Sequence, residues 1–108
     1  MVHEWVLSIS HDHPSLAGHF PGYPVVPGVV LLNEVLDVLR RGLAAPLMVK
    51  GLPIVKFSSP IRPGEAVTIR VNEEAAGQAT FSCRVDGRLV ASGTIEFMPG
   101  ATAHRERP

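Results

Sequence analysis

Apolar and polar positions change period along this chain, and the changes mark its elements. "EWVLSIS", near the start, mixes β-branched and aromatic residues in rough alternation and predicts a first strand. "GVVLLNEVLDVLRRGL" then carries the helical period. Leu31, Leu32, Val35, Leu36, Val38, Leu39 and Leu43 cover one broad face; Asn33, Glu34, Asp37, Arg40 and Arg41 gather on the other. The acids precede the arginines, which suits the helix dipole, and Asp37 and Arg41 are spaced to pair. Gly42 and Pro46 close the helix, predicted at about 28–43.

From there the period is two. "LMVKGLPIVKFSS" predicts a long strand kinked near Gly51–Pro53, and "PIRPGE" a turn. "AVTIRVNEE" alternates, "AAGQ" turns, "ATFSCRVD" alternates again, "DGR" signals a tight hairpin, and "LVASGTIEFM" is the last strand. The order is one strand, a loop, one long helix, then about four antiparallel strands. It predicts an α+β domain over residues 1–100, with a curved sheet of about five strands wrapped around the helix. The end, 101–108, is expected to be a disordered tail. A sheet of this size leaves an edge that a second copy could extend, so a homodimer is the expected assembly.

Composition narrows the function. The chain has 108 residues, 45% hydrophobic and 19% charged, which is one folding domain. Formal net charge is +0 and the longest basic run is Arg40–Arg41, which argues against nucleic acid as a partner. Cys83 has no internal disulfide partner, and as a residue of an alternating strand it is expected to be a small buried hydrophobe. No signal peptide is apparent, and the longest apolar stretch is broken by Pro24, Pro27 and Gly28. A cytoplasmic protein with no membrane partner is expected.

One stretch is unlike the rest. "HDHPSLAGHFPGYPVVPG" is dense in proline and glycine, which makes a stiff loop, and long ordered loops in small domains are usually functional. His11 and His13 share the loop with His19 but have no acid or cysteine at ligand spacing, so no metal site is expected. Cations such as Arg62 and Arg70 are scattered as on a solvated face.

"GHFPGYPVVPGVVLLNEVL" resembles the signature of the hotdog-fold 3-hydroxyacyl-[acyl-carrier-protein] dehydratases of fatty-acid and polyene synthesis. "VKFSSPIRPGEAVTIRV" gives a weaker second likeness, to the family's strand–turn–strand. The resemblance implies a hotdog fold, a dehydratase (lyase) activity, and two sites at a dimer interface. It also assigns roles: His19 as the base, and the Gly28 N–H as the donor to the thioester carbonyl. The chemistry agrees, since a neutral imidazole suits α-proton removal and a helix start suits a developing oxyanion.

The family's carboxylate lies fourteen positions after the histidine, which is Asn33 here. An amide orients a hydroxyl or a water but is no general acid. Three readings stay open: Asn33 orients while His19 moves the proton both ways; Glu34 reaches the site; or the chain is an impaired subunit. Phe20, Pro27, Val29, Leu32 and Leu36 are the expected substrate contacts, with the acyl chain beside the helix. No cofactor is implied, because the thioester acidifies its own α-carbon. Expected partners are thioesters of acyl carrier protein or, second, coenzyme A, and a further copy or another hotdog protein. The alternatives are an impaired hotdog subunit that binds acyl chains or pairs with an active dehydratase, and a hotdog acyl thioesterase.

Overall fold

The computed structural model describes residues 2–9, 26–43 and 48–98. Its elements are β1 (Val2–Leu7), α1 (Gly28–Leu43), β2 (Val49–Phe57), β3 (Val67–Ala75), β4 (Gln78–Val85) and β5 (Arg88–Phe97). The five strands form one antiparallel sheet in the order β1-β3-β4-β5-β2. The helix has the predicted bounds. The first strand starts and ends earlier than the sequence suggests, because Val2 and His3 pair with Asn72 and Val71 while Ile9 has left the ladder, its carbonyl accepting from the Gly64 N–H at 2.8 Å.

Alternation puts Val67, Ile69 and Val71 of β3, Ala79, Phe81 and Cys83 of β4, and Ile95 and Phe97 of β5 in the core. Against them α1 buries Val30, Leu31, Val35, Val38 and Leu39, with Leu32, Leu36 and Leu43 half-buried at the margin. No acid stands in the first turn of α1, so only its arginine end follows the dipole expectation. Asp37 pairs with Arg40 at 3.0 Å and with Arg41 at 3.1 Å. At that end of the helix the His3 ring fills the space beside Gly42 and meets Glu73 at 3.1 Å, and Arg41 stacks over Trp5 at 4.7 Å.

Local features shape the sheet. β2 shifts register between Val49 and Gly51 and again between Gly51 and Ile54, which is the kink expected at Gly51–Pro53. The Asp86–Gly87 turn has φ of 51° and 79°, the paired positive values that a two-residue hairpin requires. In β5, Cys83 faces Ala91 but Arg84 faces Leu89, so Val90 is an extra residue, and both Val90 and Ala91 are buried. The Ser58 N–H donates to the Val90 carbonyl at 2.8 Å, which ties the end of β2 to this bulge.

Candidate active site

The N-terminus of α1 meets the end of β2 and the strap that follows it, and a cavity of about 390 Å³ opens there. Val26, Gly28, Leu31, Phe57, Pro60, Ile61 and Val90 line it, with Ser58 and Ser59 at its polar side. Each wall has a local cause. The Pro27 carbonyl accepts from the N–H groups of Val30 (3.1 Å) and Leu31 (3.4 Å), so the helix begins at Gly28. The N–H groups of Gly28 and Val29 therefore have no acceptor within the helix. The Val26 N–H donates to the Ile61 carbonyl at 2.7 Å and fastens the approach to the helix onto the strap.

The strap is itself held. Arg88 donates to Ser59 Oγ and to the Pro60 carbonyl, the latter at 3.4 Å, and meets Glu65 at 3.6 Å. Glu65 Oε1 accepts from the Arg62 N–H at 2.7 Å, closing the turn before β3. The hairpin that carries Arg88 thus holds the cavity's outer wall in place.

Gly28 has its Cα against an aromatic ring. A Cβ built on it would lie 2.7 Å from Phe57 Cζ, so the ring fills the place of a side chain. The result is an apolar recess with a helix N-terminus at its head. Such an end carries partial positive charge and aims N–H groups at an incoming oxygen. The arrangement is suited to holding a carbonyl whose oxygen gains negative charge while an apolar group lies in the recess.

The other residues singled out from the sequence are placed as follows. His19 and Phe20 lie outside the described residues, as do His11 and His13. Pro27 is half-buried and caps the helix; Val29 is 65% exposed. Leu32 and Leu36 are half-buried against the core margin rather than on the cavity wall. Asn33 is exposed and Glu34 half-buried. Five helical steps take the chain from Gly28 to Asn33, which puts the two positions about 140° apart around the helix axis. Neither Asn33 nor Glu34 lines the cavity of its own chain.

Sequence reasoning passed over Phe57, the strap 58–61 and Val90. The strap had a signal in "FSSPIRPGE", whose two prolines mark a stiff turn directly after a strand. Val90 had none, because alternation alone does not reveal a bulge. Among the described residues, no three His, Cys, Asp or Glu side chains cluster as metal ligands, and no helix is long and apolar enough to cross a membrane.

Comparison with known proteins places the fold and the family. The profile of the ApeI-like family, described as ApeI dehydratase, matches residues 2–94. The 3-hydroxyacyl-[acyl-carrier-protein] dehydratase FabZ of Thermomicrobium roseum is 30% identical over 103 residues, spanning 85% of this chain and 69% of the relative. FabZ of Ruminiclostridium cellulolyticum is 28% identical over 105 residues, spanning 85% and 72%. Among solved structures, the dehydratase heterocomplex ApeI:P from Xenorhabdus doucetiae superposes with a TM-score of 0.78 at 27% identity, covering 89% of this chain and 88% of that one. With a five-stranded antiparallel sheet and one long helix among the described residues, and a profile match across residues 2–94, this chain belongs to the ApeI-like hotdog dehydratases.

Proposed function

We propose that the protein dehydrates 3-hydroxyacyl thioesters to trans-2-enoyl thioesters, with the acyl group carried on acyl carrier protein. The observation that carries this reading is the N-terminus of α1 at Gly28 opening onto an apolar recess. The Gly28 N–H holds the thioester carbonyl, and the acyl group lies in the recess. His19 removes the α-proton, and the electron pair of that C–H bond forms the new C=C bond as the β-carbon–oxygen bond breaks. The hydroxide leaves as water on taking a proton, which His19 returns while Asn33 orients the departing oxygen, or which Glu34 supplies. The FabZ relatives are named for a carrier-protein substrate, which supports the carrier over coenzyme A.

Asn33 is exposed and does not line the cavity of its own chain, which supports sites completed by a second copy. β2, a sheet edge, exposes Val49, Ile54 and Phe57, beside Met48 and Met98. An apolar edge of this kind is suited to pairing with its equivalent in a homodimer. We place the protein in the cytoplasm, as a single domain over 1–100.

Asn33 favours a second reading, an impaired subunit that binds acyl chains or pairs with an active dehydratase. The ApeI:P neighbour, described as a dehydratase heterocomplex, keeps that arrangement in view. One assay separates the two: hydration of an enoyl-carrier thioester by the wild type, His19→Ala and Asn33→Asp. An active wild type silenced by His19→Ala supports the enzyme. An inert wild type that gains activity as Asn33→Asp overturns it in favour of the subunit.

A further inference from the structure

The end of β2 presents an aromatic ring where the fold needs none. Phe57 is 53% exposed, although its partner in the ladder, Ala91, is fully buried. The far end of the ring lies against Gly28, and Phe57 lines the 390 Å³ cavity together with Leu31, Ile61 and Val90. The backbone beneath it is fixed independently: Phe57 pairs with Ala91, and the next N–H, of Ser58, is held by the Val90 carbonyl at 2.8 Å. Replacing the ring therefore changes the cavity without releasing the chain that carries it.

From this geometry we infer that Phe57 is a specificity-determining residue, which limits the size of the acyl group admitted beside Gly28. The inference rests on the reading of Gly28 as the carbonyl donor. A thioester held there has its acyl carbons next to the ring, because the ring already touches the Gly28 Cα region. Short acyl groups fit between the ring and the Leu31–Val90 wall, and longer ones meet the ring. Removing it enlarges the recess at that wall, so longer chains gain room beside its apolar lining. Phe57 is a wall and moves no proton.

The test compares the wild type with Phe57→Leu and Phe57→Ala on two pantetheine thioesters, crotonyl and trans-2-octenoyl. Hydration rates give the ratio of kcat/KM for long over short chains. Calorimetric affinities for the saturated butyryl and octanoyl thioesters give the same ratio without chemistry. We expect both ratios to rise by about tenfold or more in Phe57→Ala, and by less in Phe57→Leu, whatever the short-chain rate does. A wild type that binds but does not turn over, with an affinity ratio that still shifts, removes the dehydratase reading and keeps Phe57 as the size limit. Unchanged ratios overturn the inference, as does a wild type that binds neither thioester. A changed mass on a sizing column with an unchanged ratio also overturns it and assigns Phe57 to the edge between copies.

Discussion

The ring of Phe57 occupies the space that a side chain on Gly28 would need. A sheet edge and a helix start thereby share one contact, and the absence of a Cβ is what lets them meet. Gly28→Ala tests it. The new methyl meets only the far end of the ring, which shifts slightly without leaving the cavity wall, and alanine is tolerated at a helix start. The melting temperature should therefore change little. On the proposed reading of Gly28 as the carbonyl donor, the enoyl-thioester hydration rate should fall by about 100-fold, because the methyl and the ring it displaces crowd the recess beside the Gly28 N–H. A variant as active as the wild type would remove Gly28 from the site.

Gly93 makes the opposite case. It faces Phe81 on one side and Val55 on the other, and a Cβ there would run into the Ile54 carbonyl, with Phe81 Cε2 at 2.7 Å. Backbone cannot swing aside as an exposed ring does. Gly93→Ala should part β2 from β5 and cost about 3 kcal/mol, read as a lower urea midpoint. Since β2 ends in Phe57, thioester affinity should weaken along with stability.

Much of this was legible in the chain because the signals are local. The helix follows from one period and its terminal residues, the hairpin at Asp86–Gly87 from a dipeptide, and the β2 kink from Gly51 and Pro53. Sheet order is different: β1 lies beside β3 and β2 on the far edge through pairings distant in sequence, which no short window encodes. The bulge at Val90 is hidden for the same reason, since it exists only relative to Cys83 and Arg84 on the neighbouring strand. Of the site, Gly28 was legible from the motif. Phe57 was not, because its role comes from a contact 29 positions away across the fold, and His19 lies outside the described residues.

Cys83 gives a prediction in pH. It is fully buried on the inner face of β4, and desolvation pushes its thiol from the ordinary 9.0 up to about 12. Above pH 9 the unfolded chain releases this proton while the folded chain keeps it. Stability from the neutral thiol is therefore whole below pH 9 and lost as pH rises towards 12. Urea titrations of the wild type and Cys83→Ala at pH 8 and pH 11 should show the wild type losing more stability than the variant over that interval. A thiol reagent at pH 8 should label Cys83 only as fast as the protein unfolds. Rapid labelling of the native protein would contradict its burial.

Arg88 links the hairpin to the cavity wall, and its removal should separate affinity from stability. The side chain is exposed, so its pairing with Glu65 stabilises the fold by less than about 1 kcal/mol. Its bonds to Ser59 and the Pro60 carbonyl nevertheless set where the strap stands beside Gly28. In Arg88→Ala the melting temperature should hold within a few degrees. KM for the thioester should rise several-fold while kcat is largely kept, since the strap shapes binding and donates nothing to the reaction. Arg88→Lys keeps the charge but offers one point donor where the guanidinium reaches Ser59, Pro60 and Glu65 together, so it should recover only part of the affinity. Equal losses in KM and stability would reduce Arg88 to a surface ion pair; a full rescue by lysine would show that charge alone, not the fork, positions the strap.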